Sequence, residues 1–210
     1  MRGKFIVLEG LEGSGKTTAA KNIVKILHAN NIYNVINTKE PESTPLSKKI
    51  YALMQQELIN EPITKYAELL LFYFARAQLV ENIIKPALSR GTWVVGDRHD
   101  FSSQAYQGGG RKINKVLLNT LRKFILGNFY PDLILYLDVT PSIGLFRIKK
   151  KRKLDRIEKE SLCFFNAVRT SYLKLVKKNK NISIVNANDT LKNVNMNIEN
   201  IMINWLKKRV

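Results

Sequence analysis

Eight consecutive residues carry the clearest chemistry in the chain: Gly10-Leu11-Glu12-Gly13-Ser14-Gly15-Lys16-Thr17. Their spacing is G-x-x-x-x-G-K-[ST], in which the glycines let backbone N–H groups turn inward around phosphate oxygens. The Lys16 ammonium is placed to reach β- and γ-phosphates, and the Thr17 hydroxyl to ligate Mg²⁺. The apolar run before the loop, Lys4 to Glu9, reads as a buried strand. Thr17 to about Ala29 reads as a helix with Ala20, Ile23, Val24 and Leu27 on one face. This context aims the positive end of a helix at the same phosphates. The loop is therefore expected to bind a nucleoside triphosphate, with Lys16 taking part in phosphoryl transfer. Glu12 lies inside the loop at a position that can face a second substrate, and no Arg accompanies it.

A second group of polar residues lies further along. Phe72 and Arg76 are four apart in the apolar stretch LLLFYFARAQLV, so they share one helix face. Phe72 is either core or a ring on which a base stacks. Arg76 needs an anion or a carbonyl, because a buried guanidinium without a partner is costly. Asp97 and Arg98 follow the strand-like run Thr92 to Gly96, as an ion pair or as ligands. Residues 147–156, RIKKKRKLDR, are either a solvated basic face or a cationic lid.

The elements that must position these groups alternate. After the first strand and helix come a weaker strand at Asn34 to Thr38 and a helix from the Thr44-Pro45 cap to about Leu58. A long helix spans Ile63 to Ser89, bent near Pro86. Beyond Arg98 the pattern gives a loop around Gly108-Gly109-Gly110, a helix from about Ile113 to Leu126 and a strand at Leu133 to Val139. Then come a helix, the basic segment, a helix to about Lys178, a strand at Asn181 to Ala187 and a last helix, Leu191 to Lys208. Such alternation specifies an α/β fold, with a largely parallel sheet covered by helices on both faces. Ligands bind outside the carboxyl ends of its strands, where Gly10, Lys39, Asp97 and Thr140 would converge.

Bulk properties narrow the alternatives. The 210 residues suit a single domain with a small lid, and 45% hydrophobic content is enough for a sizeable core. The one cysteine, Cys163, excludes an internal disulfide and reads as a small buried hydrophobe. No secretory signal and no apolar run approaching a membrane span is visible, so a cytoplasmic protein is expected. The formal charge of +18 is spread along the chain. It reads as compositional, or as a field favouring an anionic small substrate, and nucleic acid is not expected as a partner.

Several segments together resemble the thymidylate kinase (dTMP kinase) family across almost the whole chain. They are FIVLEGLEGSGKTT at 5–18, FYFARAQLVE at 72–81, IKPAL at 84–88, GTWVVGDRHDFSSQAYQGGGR at 91–111, PDLILYLDVTP at 131–141 and LDRIE at 154–158. DRH-x-x-S-x-QAYQG is the most discriminating, and the likeness is strongest to the bacterial form without Arg in the phosphate loop. The resemblance implies a kinase that moves the γ-phosphoryl group of ATP, with Mg²⁺, onto dTMP, on the path to dTTP, and that works as a homodimer. It implies acceptor contacts by Glu12, Phe72, Arg76, Asp97, Arg98, Ser103, Tyr106 and Gln107. Phe72 would stack on the pyrimidine and Arg76 bond its carbonyl. Tyr106 would occupy the space of a ribose 2′-hydroxyl. Asp97 would sit near the metal with Thr17, and Arg98 would hold the acceptor phosphate. Gln104 and the three glycines would shape the loop.

An acceptor phosphate is already anionic, with a second pKa of about 6, so no general base is required. His28 is accordingly read as a surface residue and His99 as support behind Arg98. The difficulty is repulsion between two polyanions, which cations offset. In this form of the family the lid supplies the arginine missing from the loop. Here expected arginines appear as Lys149 and Lys151, leaving Arg147, Arg152 and Arg156 as candidates, and lysine lacks the bidentate fork. KEPEST at 39–44 stands where REPGGT is common, and neither Glu40 nor Glu42 is assigned a catalytic role. The rival readings are a deoxynucleoside kinase using Glu12 or Asp97 as a base, and a nucleic-acid-binding protein with incidental ATP binding.

Overall fold

The structure, a computed structural model, describes residues 2–56, 61–179 and 181–208. Five parallel strands form one sheet in the order β2-β3-β1-β4-β5. They are β1 (Phe5–Gly10), β2 (Val35–Lys39), β3 (Trp93–Asp97), β4 (Leu133–Asp138) and β5 (Ile182–Asn186). Central β1 is buried at every position and β4 at all but its last, while the edge strands β2 and β5 are mostly part-exposed. Unbroken apolar runs therefore mark strands covered on both faces.

Alternation along β1 divides the core. Ile6 and Leu8 pack with α1 (Lys16–Ala29), α8 (Leu162–Lys178) and α9 (Leu191–Lys207), through Ile23, Leu27, Val168, Tyr172, Ile198 and Met202. Phe5 and Val7 face the opposite layer, with Leu79, Val80, Ile84 and Leu88. These come from α3 (Lys65–Leu79), a π-helical segment Val80–Ile84 and α4 (Lys85–Ser89). The remaining helices are α2 (Pro45–Gln55), α5 (Asp100–Ser103), α6 (Lys115–Leu126) and α7 (Pro141–Lys149).

Several sequence expectations need correction. The bend foreseen at Pro86 is realised as the π-helical segment before it. Pro86 has no N–H, and its ring would press on the Asn82 carbonyl in a regular helix; a wider turn relieves both. The expected glycine loop at 108–110 is instead part of a π-helical segment, Gln104–Gly110, continuing α5. A Cβ on Gly110 would lie 2.3 Å from the Phe164 ring, so the absence of side chains lets this segment press against α8. Cys163 is exposed, because Phe164, Phe165, Val168 and Tyr172 take the inward face of α8. The foreseen end of the second helix near Leu58 lies outside the described residues; α2 is described to Gln55. His28 is exposed, as expected; His99 is buried, with its ring against Phe5 and Phe129.

Candidate active site

All five strands run the same way, so the loops after β1, β2, β3 and β4 share one edge of the sheet. The first loop wraps inward through left-handed residues, with φ of 72° at Gly13 and 91° at Gly15, where any side chain would be strained. Gly13 also lies against α7, where a Cβ would fall 2.1 Å from the Gly144 carbonyl oxygen. Lys16 is buried, and its Nζ donates to the carbonyls of Gly10 (3.1 Å) and Leu11 (2.9 Å). Burial, followed by the positive charge of Arg98, lowers the Lys16 ammonium to about 8. The Ser14 hydroxyl is buried and makes no hydrogen bond. Thr17 Oγ1 donates to Asp97 Oδ2 at 3.0 Å, joining the loop to the end of β3.

A cleft of about 230 Å³ opens beside this loop, and Glu12, Phe72, Arg76, Asp97, Arg98, Ser103, Tyr106 and Gln107 all line it. The resemblance named these eight from distant parts of the sequence, and the fold brings them together. Arg98 Nη2 lies 2.7 Å from Glu12 Oε1 and its guanidinium covers the Tyr106 ring; the Tyr106 hydroxyl donates to Glu12. Arg76 is wholly buried. It donates to Glu40 through Nε (3.2 Å) and Nη2 (2.5 Å), to Ser103 Oγ (2.9 Å) and to the His99 carbonyl (3.2 Å). Its Nη1 has only an ion-pair contact of 3.6 Å with Asp100 and no hydrogen-bond partner. Burial pushes the Glu40 carboxyl up, but the Arg76 guanidinium outweighs it, and the carboxyl stays below its ordinary value. Gln107 donates to Glu68 at 2.9 Å, and Glu68 also accepts from Arg111 and Arg156.

A second opening of about 750 Å³ lies on the other side of the loop, lined by Gly13 to Ala19, by Arg147 to Arg152 except Lys149, and by Asp189, Leu191 and Asn195. The three candidate arginines separate here. Arg147 sits in α7 and donates to the carbonyls of Gly13 (3.3 Å) and Ala187 (2.8 Å). Arg152 is half exposed, grips Glu158 with two bonds of 2.7 Å, and lines both openings. Arg156 turns elsewhere, to the Met54 carbonyl (2.9 Å) and Glu68 (2.7 Å), and belongs to neither lining. In the 39–44 segment, Lys39 Nζ pairs with Glu42 at 2.6 Å and Ser43 Oγ bonds the Lys39 backbone.

Sequence reasoning missed Glu9, Glu40, Glu68 and Ser102 around the cleft, and Asp189, Leu191 and Asn195 in the groove. For Glu40 the signal was the demand of Arg76 for an anion, but spacing could not say which carboxylate would meet it. Among the described residues, no three His, Cys, Asp or Glu side chains are grouped to hold a metal by themselves. Thr17 and Asp97 do present adjacent oxygens, the donor set a hard cation takes when phosphates supply the rest. The loop of residues 10–17 is thus flanked by two openings, one of them a cleft lined by the buried Arg76 and by Tyr106. The thymidylate kinase family model matches residues 8–198, and this chain belongs to that family.

Proposed function

We propose that the cleft holds dTMP and the groove holds ATP, with Mg²⁺ between them on Thr17 and Asp97. The activity itself follows from the family: the chain transfers the γ-phosphoryl group of ATP to dTMP, giving dTDP and ADP, for dTTP synthesis. The observation that carries the assignment is the shared wall. Gly13, Lys16, Thr17, Ile148 and Arg152 line both openings, so a donor phosphate entering from one side meets an acceptor phosphate from the other. Lys16 and Arg98 then flank the transferring group and its acceptor, and a bound divalent cation would add charge neutralisation there. Arg76, whose Nη1 lacks a hydrogen-bond partner and which lines the cleft, supports a hydrogen bond to a pyrimidine carbonyl, with Phe72 as the stacking ring. Tyr106 supports exclusion of a ribose 2′-hydroxyl. Residues 147–156 act as lid, Arg152 being the arginine best placed to reach the transferred phosphate and Arg147 serving the donor.

The test is a panel of acceptors with MgATP: dTMP, its ribose counterpart and thymidine. Turnover is expected with dTMP, much less with the ribonucleotide and none with thymidine. Phosphorylation of thymidine in preference to dTMP would overturn the assignment of Arg98 to the acceptor phosphate.

Lys16 adds a pH-dependent signature. With its ammonium near 8, free protein at pH 8 holds Lys16 about half protonated, and a bound polyphosphate restores the charge. ATP binding should therefore take up about half a proton at pH 8 and about a tenth at pH 7. Affinity should weaken as pH rises through this window. Calorimetry in buffers of different ionisation enthalpy reads the uptake directly; identical heats in all buffers at pH 8 would contradict it.

We also propose a homodimer in the cytoplasm. α3 exposes Tyr66, Leu70 and Phe74, four residues apart, and the neighbouring α6 exposes Val116, Leu117 and Phe124. An apolar stripe of this kind favours association. Leu70→Glu should convert a dimer to a monomer in sedimentation equilibrium, and a native chain that sediments as a monomer would remove the proposal. Among the described residues no helix is long and apolar enough to cross a membrane.

A further inference from the structure

The backbone at Arg98 is unusual. Its φ is 75°, in the left-handed region that is strained for a non-glycine residue and persists only where surroundings enforce it. The strand before it is fixed by pairing of Asp97 with Leu8, and Arg98 N–H donates to the Leu8 carbonyl at 2.9 Å. The turn after it is fixed by a buried carboxylate from the neighbouring strand.

That carboxylate is Glu9, the residue before the phosphate loop, which is 1% exposed. Its Oε1 accepts from the backbone N–H groups of His99 (2.9 Å) and Ser102 (3.2 Å). Its Oε2 accepts from the hydroxyls of Ser102 (2.7 Å) and Tyr172 (2.9 Å). Ser102 Oγ in turn accepts from Arg98 Nη1 at 3.0 Å. With its hydrogen committed to Glu9, that hydroxyl offers Arg98 only lone pairs. One carboxylate thus holds the strained turn by its backbone and orients the guanidinium through one hydroxyl. Burial pushes the Glu9 carboxyl up, while its donors and Arg98 pull it down; the balance is a carboxyl above its ordinary value. A buried charge of this kind is tolerated because hydrogen bonds and a cation surround it.

We infer that Glu9 is a positioning residue for the acceptor site, aiming Arg98 at the acceptor phosphate through Ser102 and through the backbone of residues 98–102. Glu9 itself does not line the cleft, whereas Ser102 and Arg98 do. This inference rests on the assignment of Arg98 to the acceptor phosphate proposed above.

The experiment is a double-mutant cycle in initial-rate kinetics with dTMP and MgATP. Glu9→Gln keeps the size but puts an amide NH₂ against two hydroxyls, or removes an acceptor from two N–H groups. It should raise the KM for dTMP by about tenfold and leave the KM for ATP within about twofold. In an Arg98→Ala background it should add little, because the group it aims is gone. Additive effects, or an unchanged dTMP KM in a folded Glu9→Gln protein, would overturn the inference. If Glu9→Gln does not fold, Ser102→Ala serves in the same cycle. It should raise the dTMP KM several-fold alone and add nothing to Arg98→Ala; no effect, or additivity, refutes the relay. Failure of the underlying assignment looks different: Arg98→Ala would itself leave the dTMP KM unchanged.

Discussion

Replacing Lys16 by alanine should lower turnover by at least about a thousandfold while leaving the protein folded. The side chain is buried, and its Nζ is held by the Gly10 and Leu11 carbonyls, at the wall common to both openings. Among the described residues no other lysine shares that wall. In the proposed assignment two phosphate groups approach each other there, beside an ammonium held by the loop's own carbonyls. Lysine-to-alanine truncation leaves Asp97 still bonded to Thr17, so no buried carboxylate is orphaned and the stability loss should be small. A coupled assay for ADP, with a thermal denaturation control, reads both quantities. Near-normal turnover by a folded Lys16→Ala protein would remove the central claim about the phosphate loop.

The second large effect concerns Arg76, where stability and binding are entangled. Arg76→Ala strands the Glu40 carboxylate, 3% exposed and bonded twice to the guanidinium. Leaving a buried charge unpaired costs about 3–5 kcal/mol, a large share of a typical domain's stability. The variant also loses packing of the guanidinium over the Tyr73 ring, 4.5 Å away. Where the variant remains folded, the KM for dTMP should rise by more than about tenfold and the KM for ATP by less than about twofold. Glu40→Ala in the same chain separates the two roles. The double variant should regain part of the lost stability, since no charge is orphaned, yet keep the raised dTMP KM. Equal effects on both substrates would place Arg76 outside the acceptor site, and full recovery of dTMP binding by the double variant would make its role purely structural.

The charge arrangement also bears on the lid. Arg156 is bound into Glu68 and the Met54 carbonyl, so in this conformation it secures the C-terminal end of the basic segment to α3 and α2. Arg111 binds the same Glu68 and also Glu160 at 2.5 Å. The half-exposed Arg152 has greater freedom to reorient once a phosphate competes with Glu158, although that competition must overcome a bidentate pair.

Much of the site was legible because its signals are local. The phosphate loop needs left-handed backbone at Gly13 and Gly15, and glycine at those spacings states this in the sequence itself. Unbroken apolar runs identified β1, β3 and β4, because strands buried on both faces cannot alternate. The four-residue spacing of Phe72 and Arg76 placed them on one helix face, and both line the cleft. Other features were misread for equally physical reasons. The three glycines at 108–110 signal a loop by composition, yet Gly109 and Gly110 make a close approach to α8, a partner more than fifty residues away, and Gly108 lies against Leu118 of α6. Cys163 sits at the margin of an amphipathic helix, and only the direction of α8 decides that it faces solvent.

By itself, then, the sequence determined the order of strands and helices, the phosphate loop, and which residue types arrive at the strand ends. Those follow from hydrophobic period and backbone preference, which act over a few residues. Tertiary structure alone decided which carboxylate answers which arginine: Glu40 for Arg76, Glu12 for Arg98, Glu68 for Arg111 and Arg156. The ion pairs join residues tens of positions apart, and their selection depends on strand order and crossover packing, which leave no trace in spacing. The loop of residues 10–17 could be read from its own glycines, but the wall it shares between two openings exists only once β1, β3 and α7 are in place.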